Sequence, residues 1–431
     1  MIRHFHSFPS RIAAAFLLGG LSKLFGQTDD AISTSVEALV QQIVTGNPEL
    51  KFYEAEIAVA KSEQRTAATR AAPELSATVG EKRVRSGPVT SDGLAWSVSV
   101  RQTFEWSGRM GLRKAIANQQ VKLAELGLAQ FRAALASRAR SLAYQLFAAR
   151  EKAAAAREVA DRFAALREVL VQRDTAGLTP VLETRIIEAT VLTVQRHATE
   201  DEVSAQAALL ELNQLRGQPW EQTLKVESTQ FAFGNPPDLA ALIAGAQANN
   251  FELLMRKAEL EQQGFKVSLA RNEQMPAVSV GPYFSRESAG DRETQFGVGI
   301  SMPLPLSNRN ASRVALEEAR REQAATSMLM AQRTVERQVA EKAMTFRTKL
   351  AEIAKWRPDS VQQFKQAAAL ADRHYRLGAV PISTYVELQK QYLEAVEALL
   401  DTRKEALEAG QDLERLTGLE FGAIRAAEAQ P

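Results

Sequence analysis

The stretch WSVSVRQTFEW, from Trp96 to Trp106, decides the fold. Its even positions are Trp96, Val98, Val100, Gln102, Phe104 and Trp106, and the residues between them are Ser97, Ser99, Arg101, Thr103 and Glu105. A period of two describes an extended strand with one apolar and one wet face. Phe296, Val298, Ile300 and Met302 alternate with Gly297, Gly299 and Ser301 in the same way. Weaker partners, Leu75, Ala77 and Val79, then Val278, Val280, Pro282 and Phe284, stand before each run, across a loop rich in Gly, Ser and Asp. Each run is about 9 to 11 residues, the length a tilted strand needs to cross a bilayer. A half-buried strand of a soluble sheet has the same period. Four strands with no other sheet-forming sequence make a poor soluble core, however, while three chains together would supply a whole barrel. Trp96, Val98, Val100, Phe296, Val298 and Ile300 are then expected to face lipid, with Ser97, Ser99 and Gly299 facing the lumen.

The two strand regions belong to a larger repeat. NPEL at Asn47 to Leu50 recurs as NFEL at Asn250 to Leu253, 203 residues on, and Pro73 maps to Pro276 at that offset. WSVSV (Trp96 to Val100) matches FGVGI (Phe296 to Ile300) at 200, as Ser107 and Arg109 match Ser307 and Arg309. Gly177 and Pro180 match Gly378 and Pro381 at 201, and Gly217 matches Gly418 at 201. An ordered series with so little drift divides the chain into repeats 34–217 and 238–418. Each half reads as a helical segment (about 34–71, then 238–272), two strands, a long helix, a tight Gly/Pro turn and a returning helix.

The helices are too long for a compact domain. Between Ser107 and Arg173 there is no proline, and about 66 residues at 1.5 Å each reach roughly 100 Å. Leu128, Phe131, Leu135, Leu142 and Leu146, then Val159, Phe163, Leu166 and Leu170, recur at threes and fours. That spacing is a coiled-coil seam. Val335, Val339, Phe346, Leu350 and Ile353 repeat it in the second half, until Pro358 breaks the helix near Arg357.

Composition agrees. Of the 431 residues 45 % are hydrophobic and 24 % charged, which excludes a disordered chain, and the low aromatic share of 6 % suits long helices. The 53 basic and 51 acidic residues nearly cancel, so no nucleic-acid partner is implied. Cysteine is absent, which removes disulfides, thiolate chemistry and a lipoprotein anchor. Arg3, His4, His6 and Arg11 precede the apolar run Ile12 to Leu18 and the small residues Gly19, Gly20, Ser22 and Gly26. That order reads as a signal peptide over residues 1–26. No other segment has the ~20 apolar residues of a membrane helix, so a membrane-spanning mature chain must use a closed β-barrel.

With these features together, the sequence resembles the TolC family of outer-membrane efflux ducts over essentially the whole mature chain. VRQTFEWSGRMGLRKAIANQ and GVGISMPLPLSNRNASRVALEEA look most like its cobalt–zinc–cadmium (CzcC-like) branch, and HYRLGAVPISTYVELQKQYLEA is similar to the family's second hairpin turn. The resemblance implies a mainly α fold with a small β part. Long antiparallel coiled-coil helices would carry four transmembrane strands per chain, and a homotrimer would pool these into a 12-stranded barrel. It implies the passive exit duct of a tripartite system, partnered by a periplasmic adaptor, an inner-membrane RND pump and outer-membrane lipid. Heavy-metal cations are the cargo of that branch; drugs or secreted polypeptides are the cargo of others.

The family places its two Gly-containing turns at the periplasmic tip, where the adaptor docks. Here they are Thr175, Ala176, Gly177, Leu178 and Pro180, and Leu377, Gly378, Ala379, Val380 and Pro381. Relatives close the tip with Tyr and Arg links to an Asp. Tyr375 stands at the matching Tyr position, but Val380 replaces the Arg and Glu387 the Asp. A gate built from Asp174, Asp372, Tyr375, Arg376 and Glu387 is the expectation. An enzyme is disfavoured: past the leader only His197 and His374 are available, both amid charged helix, and no cofactor or metal site can be assembled. Gly297-Val298-Gly299 is strand alternation, not a phosphate loop. A soluble coiled-coil scaffold would explain the helices but neither the leader nor the strands.

Overall fold

The computed structural model describes residues 33–86, 88–171, 178–226, 231–304, 309–422 and 425–426. The expected leader, Ser307 and the turn residues Asp174, Thr175, Ala176 and Gly177 lie outside them.

The first half runs β1 (Ser33–Thr34), α1 (Val36–Gly46), α2 (Leu50–Ala67), β2 (Glu74–Ser86), β3 (Val89–Phe104), α3 (Arg109–Val171), α4 (Leu178–Arg216) and β4 (Lys225–Val226). The second half runs β5 (Phe231–Ala232), α5 (Leu239–Asn249), α6 (Phe251–Asn272), β6 (Val278–Ala289), β7 (Asp291–Ser301), α7 (Arg309–Lys355), α8 (Ser360–Arg376), α9 (Ile382–Thr417) and β8 (Arg425–Ala426). The short strands β1 with β4 and β5 with β8 form two separate two-stranded pairs, so the four long strands are not the chain's only extended segments.

The helical segments expected over 34–71 and 238–272 are each two helices. Asn47 and Asn250 are the breaks, both extended, with ψ of 127° and 124°. Before Pro48 the helical conformation is disfavoured at Asn47. In each case the side-chain oxygen takes over as a cap: Asn47 Oδ1 accepts from the Glu49 N–H, and Asn250 Oδ1 from those of Glu252 and Leu253. The amide nitrogens then reach the returning helices, bonding Leu215 O at 3.0 Å and Leu416 O at 2.9 Å. Those helices end alike, at Gly217 (φ 65°) and Gly418 (φ 63°). Even the preceding caps correspond, Ser35 holding the Ala38 N–H and Asp238 the Ala241 N–H.

At about 1.5 Å per residue, the 63 residues of α3 span about 95 Å. Its second-half counterpart is interrupted: α7 ends at Lys355 and α8 begins after Pro358, as the proline requires. The expected seam is the core. Val159, Phe163 and Leu166 of α3 pack with Ile187 and Val191 of α4 and with Ala368 of α8 and Tyr385 of α9. A separate cluster joins α1, α3 and α4 through Leu39, Ile43, Leu142 and Leu212. A third joins α5, α7 and α9 through Leu242, Val335, Phe346 and Leu413. Small alanines recur throughout, letting helix backbones approach closely along a thin, extended bundle.

The long strands form one antiparallel sheet in the order β2-β3-β6-β7. They contain 13, 16, 12 and 11 residues, so three of the four exceed the expected 9 to 11. The additional residues lie towards the hairpin turns, where charged and small residues interrupt the apolar alternation.

Candidate functional site

Register shows what the sheet is for, because residues directly opposite one another share a face. Leu75 faces Val100, Ala77 faces Val98 and Val79 faces Trp96 between β2 and β3. Val98 also faces Phe284, and Phe104 faces Val278, between β3 and β6. Phe284 faces Phe296, Pro282 faces Val298 and Val280 faces Ile300 between β6 and β7. One continuous apolar face results. The other carries Thr78, Ser97, Ser99, Ser285, Gly297 and Gly299. All six residues expected to face lipid lie on the apolar side, and Ser97, Ser99 and Gly299 on the other.

Nothing among the described residues covers the apolar face. Phe296 is 79 % exposed, Val79 77 % and Ile300 73 %. Trp96 is half-buried, its ring 5.3 Å from that of Phe284. From Phe104 to Leu94 the face runs ten residues, about 34 Å along the strand. A tilt of about 40° reduces that to roughly 26 Å of height, against the ~25 Å apolar band of membrane barrels. Phe104 and Trp106 mark one margin, and Trp96, Phe284 and Phe296 the other, as the aromatic girdles of such barrels do.

The sheet joins the helices through Arg109. This guanidinium, nearly buried, donates to Asn272 Oδ1 at 3.0 Å, to Asn272 O at 3.0 Å and to Met275 O at 2.7 Å. It thereby satisfies carbonyls at the end of α6, where the helix itself offers no donor. Asn272 in turn donates to Ser107 O. Arg113 holds Glu105 beside this joint in a two-pronged pair.

The opposite end of the helices holds the α8–α9 turn. Gly378 is left-handed (φ 73°), and its N–H bonds Tyr375 O while that of Ala379 bonds His374 O, both at 2.9 Å. This closes the helix in a Schellman motif. A Cβ on Gly378 would meet nothing within 4 Å, so only backbone strain resists substitution. Leu377 projects, 73 % exposed, while Val380 turns back against the core. Pro381 is the N-cap of α9, and Pro180 lies in the first turn of α4. Leu178 begins that helix.

Of the described gate residues, Asp372, Tyr375 and Arg376 lie about Tyr385, while Glu387 is not among its neighbours. Arg376 pairs with Asp372 on its own helix at 3.0 Å, and exposed Glu387 accepts from Gln391. Tyr375 is buried, its ring stacked 5.3 Å from that of Tyr385, and its hydroxyl donates to Glu183 Oε2 at 3.1 Å. The bond links α8 to α4, so Tyr375 ties the two hairpins of one protomer together. Glu183 and Tyr385 were not among the residues singled out from sequence. No spacing pattern points to Glu183, whereas the spacing Ile382, Tyr385, Gln389, Tyr392, Val396 does mark Tyr385 as part of one seam. Gln389 is its buried polar member, donating to Ala368 O and accepting from Arg162. Arg162 and Lys365 both hold Glu158. The hydrogen bond to Glu158 raises the Lys365 pKa, and burial, then the Asp372 charge, raises that of the Tyr385 hydroxyl.

Residues 242–419 match the family of outer membrane efflux proteins. The match covers the second half of the chain, from within α5 to just past α9. The fold is that of the TolC-like channels, the location is the outer membrane, and the chain is not an enzyme. The chain is 24 % identical over 404 residues to the pyoverdine export outer membrane protein OpmQ of Pseudomonas aeruginosa, covering 89 % of this chain and 85 % of that one. Among solved structures it superposes on the Campylobacter jejuni CmeC outer membrane channel with a TM-score of 0.72 at 15 % identity, covering 98 % of this chain and 95 % of that one. It superposes on CusC with a TM-score of 0.71 at 14 % identity, covering 92 % and 95 %. A soluble scaffold is thereby set aside. Among the described residues no helix is long and apolar enough to cross a membrane.

Proposed function

We propose that three copies of this chain form the passive exit duct of a tripartite efflux system, working with a periplasmic adaptor and an RND pump. The open four-stranded sheet carries the proposal. An exposed apolar face belongs in lipid, yet β2 and β7 end the sheet with unpaired backbone groups, which lipid does not tolerate. Pairing β7 of one copy with β2 of the next removes every edge, and 12 strands close. The chain is then a duplicated unit, 34–217 and 238–418, exported by the leader at residues 1–26. The corresponding caps, breaks and terminal glycines support that division.

In this reading the α8–α9 turn, with Leu377 exposed beside Gly378 and Ala379, docks the adaptor, together with the turn at Thr175 to Pro180. Asp174, Asp372, Arg376 and Glu387 remain candidates for contacts between copies that narrow the tip. Tyr375 serves indirectly, by holding the hairpins in register.

Heavy-metal cations are the cargo implied by the CzcC-like resemblance. At the hairpin end of the sheet Glu287, Asp291 and Glu293 face inward with Lys82 as their cation, an acidic excess that favours cations over anions. Small organic cargo is the second reading, since OpmQ is named for pyoverdine export. A strain lacking the chain decides between them: complementation should restore resistance to cobalt, zinc or cadmium, whereas restored siderophore or drug export alone favours the second. Gly378→Val should cost about 1 to 2 kcal/mol of left-handed strain and abolish efflux, leaving a heat-modifiable oligomer in the outer-membrane fraction. Unchanged efflux would place adaptor docking elsewhere.

A further inference from the structure

Towards the hairpin turns, from the level of Trp96 onward, the sheet separates its charges by face. The inward residues are Lys82, Glu287, Asp291 and Glu293. The outward ones are Glu81, Arg83, Arg85, Asp92, Arg286 and Arg292. Four arginines thus stand against two carboxylates outside, while three carboxylates stand against one lysine inside.

The ion pairs sharpen the contrast. Lys82 reaches across Gly93 to Glu287 at 2.7 Å and Glu293 at 2.8 Å, neutralising part of the inner cluster. Gly93 lies so close to Ser288 O that a Cβ there would collide with it. Outside, Arg83 consumes both carboxylates, holding Asp92 at 2.8 Å and Glu81 at 3.8 Å. Arg85, Arg286 and Arg292 are exposed and have no ion-pair partner among the described residues.

Their height is informative. Arg286 lies opposite Trp96 and Thr294, one pleat, about 7 Å, beyond Phe284. Arg292 lies opposite Ser288, one pleat further, on the neighbouring strand. Two free guanidiniums on adjacent strands therefore begin where the aromatic girdle ends, at the level of lipid headgroups. Guanidinium forks match phosphate oxygens in geometry as well as charge.

We propose that Arg286 and Arg292, with Arg85 above them, form a binding site for the phosphate groups of outer-leaflet lipid. The proposal rests on the duct reading, which directs the hairpin end outward and the apolar face towards lipid. The site gives each copy a fixed anchor at the outer membrane surface, and closure of the trimer repeats it three times around the rim.

The test compares the full-length trimer with Arg286→Gln/Arg292→Gln, using bis-phosphorylated lipid A and the same lipid with its phosphates removed. Bound lipid is counted by native mass spectrometry after detergent exchange. At about a fivefold gain per arginine near an anionic surface, the double variant should retain phosphorylated lipid roughly thirtyfold more weakly. Dephosphorylated lipid should bind the two forms equally, and Lys82→Gln/Glu287→Gln, at the same height on the inner face, should leave retention unchanged. Equal retention by wild type and double variant overturns the site, as does equal retention of both lipids or full displacement by millimolar inorganic phosphate. Should the double variant not assemble, Arg292→Gln alone is read the same way, with an expected fivefold loss. Conductance of the same samples in planar bilayers separates the two claims: a conducting trimer with no phosphate preference removes the anchor and keeps the duct, while a sample that never inserts removes the duct reading itself.

Discussion

The helical tube and the sheet obey opposite rules. Phe163 in the tube is 1 % exposed, packed against Tyr385 with ring centroids 5.2 Å apart, whereas Phe296 in the sheet is 79 % exposed with nothing over it. Both are large aromatic side chains at positions of strict periodicity, one of three and four, the other of two. The difference is the surroundings each awaits. The helices hide their apolar seam within the chain and show charge to water, while the sheet exposes one apolar face and carries its serines and glycines on the other. A chain that folds both ways is built to lie partly in water and partly in hydrocarbon.

The largest effect should come from removing a ring from each region. Phe163→Ala leaves a cavity in a core that cannot collapse and should cost about 3 to 5 kcal/mol. Phe296→Ala leaves no cavity, because lipid chains fill the space, and should lose only the transfer contribution, about 2 kcal/mol. Denaturation of the purified oligomer, followed by helicity for the first variant and by heat-modifiability for the second, measures both. Equal costs would mean that Phe296 is covered by protein.

Reversing polarity tests the faces more sharply. Val98→Arg should cost about 2 to 4 kcal/mol near the bilayer midplane, and Ser99→Arg, pointing to a wet lumen, should insert and assemble normally. Equal penalties in a membrane-folding assay would contradict the register. A smaller effect is expected at the tip. The folded-state pKa of Tyr385 lies above its ordinary value, so its contribution is complete below about pH 10 and declines as pH rises further and the unfolded chain ionises. Tyr385→Phe should remove that alkaline loss of helicity in the tip hairpins while leaving the barrel unaffected. An unaltered alkaline profile would assign the loss to other groups.

The strands were legible because alternation from Trp96 to Phe104 is strong, and the long helices because proline is missing between Ser107 and Arg173. Pro358 announced its own break. The breaks at Asn47 and Asn250 were visible only as repeat landmarks, since capping by an asparagine depends on a partner, Leu215 or Leu416, some 166 to 168 residues away. Strand length was underestimated because Glu81 to Ser86 and Val89 to Ala95 continue the ladder with charged and small residues. At the tip, sequence located the turn but not the bond from Tyr375 to Glu183, which only the packing of α8 on α4 creates. The arginines of the rim were equally hidden, because their outward direction follows from register and not from their own neighbours.

The central claim is that the sheet is completed by other copies of the same chain, and a cysteine-free sequence makes it directly measurable. Trp96 and Phe296 occupy equivalent places, as do their cross-strand partners Val79 and Phe284. The pair Val98–Phe284, which joins the two halves within a chain, should recur as Val298 against Val79 of the next copy. Val79→Cys/Val298→Cys, oxidised in outer-membrane fractions, should give disulfide-linked trimers on denaturing gels, while either single variant stays monomeric. A double variant that inserts normally yet remains monomeric, or cross-links into chains longer than three, would contradict a barrel closed by three copies.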